Sequence, residues 1–182
     1  RATVKQNQTK QISMLNAQDV PVSKQFIYQG QDYYFRNYYA EPFKNEKIGV
    51  FIEIANKAEN NLGMPLPKGT LRMYKRDPDG SLQFIGEDSI EHTPKNEKIK
   101  LKTGDAFDVV ATRKQMQWEK VAKNINEVAY EISLRNHKKE DITVKVVERL
   151  FGDWKVLESS HSYKKEDSTT IFFDVPVKKD GE

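Results

Sequence analysis

Apolar and polar side chains alternate along most of this chain, as in Lys98-Ile99-Lys100-Leu101-Lys102 and Thr143-Val144-Lys145-Val146. Successive strand side chains point to opposite faces, so a period of two marks a strand with one buried face. The three-and-four spacing of an amphipathic helix is almost absent. The pattern predicts an all-β protein, with strands near Lys10 to Leu15, Val20 to Tyr28, Lys47 to Asn56, Gly69 to Arg76, Ser81 to Asp88 and Lys98 to Lys102. It continues with Asp105 to Met116, Glu127 to Asn136, Ile142 to Leu150, Trp154 to Ser159 and Thr169 to Val175. Asp77-Pro78-Asp79-Gly80 is a turn signal, since Pro presets φ and Gly tolerates positive φ. Lys114 to Asn126 fits either a short helix or a long, bent hairpin.

The strands recur in order. Val50-Phe51-Ile52-Glu53-Ile54-Ala55-Asn56 lines up with Tyr130-Glu131-Ile132-Ser133-Leu134-Arg135-Asn136, and Thr70-Leu71-Arg72-Met73 with Thr143-Val144-Lys145-Val146. Gly80 to Ile85 then matches Gly152 to Leu157, Ile99-Lys100-Leu101 matches Phe173-Asp174-Val175, and Gly104-Asp105 matches Gly181-Glu182. The first copy carries a Pro/Gly-rich insertion at Asn60 to Pro67, which reads as a loop. Two copies predict two tandem immunoglobulin-like antiparallel β-sandwich domains, 1–104 and 105–182, with 105–126 as the connecting region. One larger sandwich with fortuitous similarity is the alternative. The register leaves Gly181-Glu182 without the strand that succeeds Gly104-Asp105, so the second sandwich is expected to lack its last strand and to show an open edge.

Composition removes several classes. There is no cysteine, so disulfides and Cys-ligated metals are out. Thirty Lys and Arg face 27 Asp and Glu, a net charge of +3, and the signs are interspersed, as in Lys138-Lys139-Glu140-Asp141. Nucleic-acid readers instead gather basic residues on one face, so no nucleic acid is expected. Apolar runs are far shorter than the roughly 20 residues of a membrane-crossing helix, and no transmembrane segment is expected. The first residues lack the apolar core of a signal peptide and do not start with Met, as in a processed or trimmed fragment.

Leu62-Gly63-Met64-Pro65-Leu66-Pro67-Lys68-Gly69, Leu82-Gln83-Phe84-Ile85-Gly86-Glu87-Asp88, His92-Thr93-Pro94-Lys95 and Gly104-Asp105-Ala106-Phe107-Asp108-Val109 carry a family resemblance. It continues through Leu134-Arg135-Asn136-His137-Lys138, Gly152-Asp153-Trp154 and Val175-Pro176-Val177. The sequence resembles the bacterial domain of unknown function numbered 4139, whose members are often labelled mucoidy inhibitor A homologues. The resemblance implies the C-terminal part of a longer, exported protein, periplasmic or otherwise outside the cytoplasm, with an N-terminal domain and a coiled coil ahead of this region. It implies no catalytic residues.

Candidate sites are few. The three histidines, His92, His137 and His161, accompany no nucleophile elbow of a hydrolytic triad. Glu87, Asp88 and Glu91 near His92 have zinc or manganese chemistry, but on one strand they point to opposite faces. Asp77-Pro78-Asp79-Gly80-Ser81 resembles the start of a calcium loop, and the turn already accounts for it. No metal and no cofactor is expected. Six rings fall between Tyr28 and Tyr39: Tyr28, Tyr33, Tyr34, Phe35, Tyr38 and Tyr39. Tyrosines beside amide, carboxylate and guanidinium groups suit sugar faces or protein anchors. The candidate binding residues are Tyr33, Tyr34, Tyr38 and Tyr39, against the reading that these rings pack the sandwich. Trp118 and Trp154 read as core or interdomain packing.

The expected function is a non-enzymatic interaction or structural module of a cell-envelope protein, binding a protein partner or the missing N-terminal domains of its own chain. The alternative is a polysaccharide-binding module acting through the tyrosine cluster. A hydrolase is the third reading.

Overall fold

A computed structural model describes residues 15–182 and, ahead of them, 7, 9 and 13. The described residues form nine strands: β1 (Val22–Gln29), β2 (Phe43–Ala55), β3 (Gly69–Arg76), β4 (Leu82–Ile90), β5 (Lys98–Ala122), β6 (Ile125–Asn136), β7 (Ile142–Arg149), β8 (Tyr163–Lys165) and β9 (Thr170–Val177). Two single 3-10 turns, Asp32–Phe35 and Ala58–Asn60, are the helical elements among them. The period-two reading is therefore correct in kind. The expected strand at 10–15 lies outside the described residues apart from 13 and 15.

Seven strands make one sheet in the order β6-β5-β2-β1-β7-β9-β8, and β3 and β4 pair as a separate hairpin. Every pairing is antiparallel except β1 with β7. β5 replaces two expected strands and contains most of the expected connecting region. Its first half pairs with β2 and its second with β6, so 114–126 is a hairpin. Gly104 lies in a bulge of β5, where Val50 faces Gly104 and Phe51 faces Lys102. A further bulge leaves Phe107 93% exposed.

The main core draws alternate residues from six strands: Phe26 and Tyr28, Ile48, Val109 and Ala111, Leu134, Val144 and Val146, and Val177. A smaller core of Ile90, Ile99 and Leu101 lies under the β3–β4 hairpin, with Ile54, Leu71 and Met73 packed on it. Each such aliphatic side chain contributes about 1.5–3 kcal/mol when fully buried. Gly86 lets β4 cross close to β5, since a Cβ there would lie 2.4 Å from the Thr103 carbonyl oxygen.

The repeat survives in part, with a corrected register. Asn56 and Asn136, aligned by sequence, are both fully buried and do the same work. Asn56 Nδ2 donates to the carbonyls of Met64 and Pro94 (both 2.8 Å), while its Oδ1 accepts from Gly63 N–H (2.9 Å). Asn136 Nδ2 donates to the carbonyls of Glu140 (2.9 Å) and Lys178 (3.0 Å), while its Oδ1 accepts from Lys138 N–H (2.9 Å). Each backbone N–H closes onto the next turn, Asn56 onto the Glu97 carbonyl and Asn136 onto the Gly181 carbonyl. In that turn Asn96 and Asp180 both take positive φ (70° and 48°).

Gly181 is thus the counterpart of Glu97, not of Gly104. Thr70 of β3 pairs with Ser89 of β4, and its match Thr143 of β7 pairs with Pro176 of β9. β9 therefore stands where β4 does, and the match of Phe173-Asp174-Val175 with Ile99-Lys100-Leu101 is out of register. Trp154 to Ser159 is not a strand. β9 is already flanked by β7 and β8, which leaves no edge for it, and Trp154 packs within the loop instead. Its Nε1–H donates to the Ser168 carbonyl (2.9 Å) and the Lys165 ammonium lies 4.5 Å from its ring centre.

Candidate functional site

The tyrosine-rich segment leaves β1 at Gln29, makes the 3-10 turn Asp32–Phe35 and returns into β2 at Phe43. It lies against the second half of β5 and against β6. The alternation that builds the main core continues one step too far on two strands. After Val109 and Ala111 the next core-facing residue of β5 is Arg113, and after Val144 and Val146 the next of β7 is Glu148. These charges are 1% and 5% exposed and meet, with Arg113 Nη1 donating to Glu148 Oε1 at 2.6 Å.

Rings enclose the cation. The guanidinium carbon lies 4.3 Å from the Tyr34 ring centre and 3.9 Å from that of Tyr130, with Phe35 at 5.3 Å. The π faces carry partial negative charge and replace part of the hydration lost on burial. Tyr34 and Tyr28 both donate their hydroxyls to Glu46 Oε2, at 2.7 and 3.4 Å. Gln115 ties the segment down further. Its Nε2 donates to the Asn37 carbonyl (3.0 Å) and to the Tyr130 hydroxyl (2.8 Å), and its Oε1 accepts from Tyr39 N–H (2.7 Å). The Tyr130 hydroxyl itself donates to the Tyr34 carbonyl.

Burial pushes the Tyr28 phenol up to about 12, with Arg113 opposing and Glu46 adding to the rise. Tyr34 is pushed up more strongly, by burial and by its hydrogen bond to Glu46. Burial also pushes the Glu148 carboxyl up, against the pull of Arg113. Glu148 Oε2 and Arg113 Nε have no hydrogen-bond partner among the described residues. A Cβ on Gly30 would lie 2.6 Å from that oxygen, so glycine gives the carboxylate its room.

The four candidate tyrosines separate. Tyr34 is 1% exposed and inside the cluster, where no ligand reaches its ring. Tyr33 and Tyr38 are exposed and Tyr39 is half-buried, its hydroxyl donating to the Tyr33 carbonyl (3.1 Å). Tyr33 and Tyr39 lie edge to face, 6.5 Å between ring centres. Arg113, Glu148, Glu46, Gln115 and Tyr130 are not singled out by sequence. The signal that could have found the first two is a charge at a core-facing position on each of two strands.

The other candidates are scattered. Arg72 pairs with Glu87 (3.0 Å), Lys68 with Glu91 (2.8 Å), and the Asp88 carboxylate accepts from the backbone of Ser89 and Lys102 (both 2.8 Å). His92 Nδ1 accepts from Lys68 N–H (3.2 Å), and His161 sits beside Ser160 on an exposed loop. The Asp77 turn forms as read, with Asp79 Oδ1 accepting from Ser81 N–H (2.9 Å) and Gly80 at φ 88°. No helix is long and apolar enough to cross a membrane among the described residues. An open cleft of about 380 Å³ borders the cluster, lined by Gln31, Asp32, Arg149, Phe151 and Thr169 among others. Asp32 within it is already paired with Arg36. The described residues thus define a predominantly β structure with a buried Arg113–Glu148 ion pair set among aromatic rings.

Comparison with protein families, with curated proteins and with solved structures found no match for this chain.

Proposed function

We propose that this chain is a non-enzymatic module of a longer, exported bacterial cell-envelope protein, built as two immunoglobulin-like units and recognising polypeptide partners. The carrying observation is the internal use of the polar cluster. Buried Arg113 and Glu148 bond to each other, Glu46 accepts from Tyr28 and Tyr34, and half-buried Gln115 and Tyr130 bond to each other and to the backbone. Several exposed apolar side chains lie on paired strands: Tyr74, Leu82 and Phe84 on the β3–β4 hairpin, and Met116, Val121 and Ile125 at or beside the far end of β5–β6. Apolar groups on such protruding hairpins suit protein contacts. The cell-envelope setting rests on the family resemblance.

The second reading, polysaccharide binding, has the exposed rings of Tyr33 and Tyr38 in its favour. Photo-crosslinking residues at positions 84 and 116, in an envelope fraction, are expected to yield a discrete protein adduct. Envelope-polysaccharide binding that is lost when Tyr33, Tyr38 and Tyr39 become Ala, with no protein adduct, would replace the first reading with the second.

A further inference from the structure

We propose that the cleft between the segment after β1 and the loop after β7 binds a hydroxylated monocarboxylate, the class to which acidic sugars belong, with Arg149 holding the carboxylate. The proposal goes beyond the interaction-module reading and does not rest on it. The position of the cleft follows from topology. β1 and β7 are the one parallel pair among the described strands, and the sheet order places β2 beside β1 and β9 beside β7. From their adjacent carboxyl ends the chain therefore leaves in opposite directions, toward β2 from β1 and toward β8 and β9 from β7. Parallel neighbours whose connections diverge leave a crevice at that end, the place where open parallel sheets take their ligands.

The backbone around the cleft is pinned on both sides of β7. Gly30 N–H donates to the Val147 carbonyl, and Leu150 N–H to the Thr169 carbonyl, each at 2.7 Å. Gln31 and Asp32 line the crevice from the β1 side, and Arg149, Phe151 and Thr169 from the side of β7 and β9. Its volume of about 380 Å³ falls within the roughly 300–1,000 Å³ of small-molecule sites.

The groups left over on these residues select the ligand. Gln31 Nε2 donates to the Gln29 carbonyl (3.4 Å), the Arg36 guanidinium to Asp32 Oδ2, and the Thr169 hydroxyl to Asp167 Oδ1 (3.0 Å). Those bonds leave Gln31 Oε1, Asp32 Oδ1 and the Thr169 hydroxyl oxygen as acceptors, which call for hydroxyl donors. Arg149 is exposed and is the only charge of the lining without an ion-pair partner among the described residues. Its planar fork matches a carboxylate. Phe151 is 45% exposed and offers a flat apolar face to the C–H side of a sugar ring. A phosphate dianion brings too few donors for three acceptors and meets the Asp32 carboxylate, while a neutral sugar leaves Arg149 without an anion. A second cleft adjoins at Gly152, with Trp154, Lys165 and Ser168 in its lining, so the acid can be a free molecule or one residue of an acidic glycan.

The test is a titration of the whole chain read by residue-resolved amide shifts, with galacturonate, galactose, inorganic phosphate and tetragalacturonate as probes. Millimolar galacturonate is expected to shift residues 31–32, 149–152 and 169, with galactose and phosphate binding about tenfold or more weakly. Arg149→Gln should weaken galacturonate by about tenfold, and Arg149→Lys by less, since the charge stays and the fork is lost. Phe151→Ala should weaken it several-fold, while Lys155→Gln, outside the lining, should leave it unchanged. No saturable shift with galacturonate, equal binding of galactose or phosphate, or wild-type binding by Arg149→Gln with its amide spectrum otherwise intact would overturn the proposal. Shifts centred on Tyr33 and Tyr38 instead of the cleft would also overturn it. Tighter binding of the tetramer with shifts reaching Trp154 and Lys165 would uphold it with a glycan as the source, and a tetramer no tighter than the monomer would uphold it with a free acid.

Discussion

Arg113 and Glu148 form a pair that a single substitution cannot relieve. Removing one partner leaves a desolvated charge, whereas replacing both with apolar groups removes the desolvation cost as well. Glu148→Gln and Arg113→Met are each expected to lower stability by about 3–5 kcal/mol in urea unfolding, and the double variant Arg113→Met with Glu148→Leu to recover most of it. Additive losses would mean that the two side chains act separately. The tyrosines on the cluster give a pH signature. Tyr28 keeps its proton up to about 12 in the folded chain, against 10.0 ordinarily. A folded value raised above the unfolded one stabilises fully below the lower value and is lost as pH rises through the upper. Stability should therefore fall between pH 10 and about 12, with Tyr28, Tyr34 and Tyr130 ionising last, together with unfolding. A single early tyrosinate phase with the fold intact would contradict this.

At the scale of elements, β5 decides the architecture, since one strand of 25 residues serves two neighbours. Beyond the core its hairpin with β6 sets Glu119 directly opposite Glu127, a like-charge pair on one face. Glu119→Lys should raise stability by about 0.2–1 kcal/mol in urea unfolding, and a loss would show that the pair is not opposed in solution. Most strands are legible because their alternation is local: Gly69–Arg76 reads to the residue, and Ile142–Arg149 to within one residue. The union of 98–102 with 105–116 is not legible, because Gly104 reads as a turn in sequence and becomes a bulge only when β2 runs alongside. Trp154 to Ser159 alternates like a strand, but whether an edge is free for it depends on β8 and β9. The aromatic cluster is visible as composition between Tyr28 and Tyr39. Its inward use is not, because the cation that holds it comes from β5 and the anion from β7.

For the whole molecule, the two buried asparagines are the main reason to regard the chain as one motif used twice, each clamping the turn that closes its own half. A clamp asparagine joins separate stretches of chain, so its loss leaves buried carbonyl and N–H groups without partners, at about 1–3 kcal/mol each. Sequence alone aligns Asn56 with Asn136 but misplaces the turns and strands after them, since the turns at Asn96 and Asp180 share backbone shape rather than residue type. The most direct measurement is the stability of Asn56→Ala, Asn136→Ala and the double variant by urea unfolding. A motif used twice predicts that each single variant loses a similar amount, about 2–4 kcal/mol, and that the losses add. A costly Asn56→Ala beside a neutral Asn136→Ala would contradict it, because the second clamp would then not be holding Gly181 as the first holds Glu97.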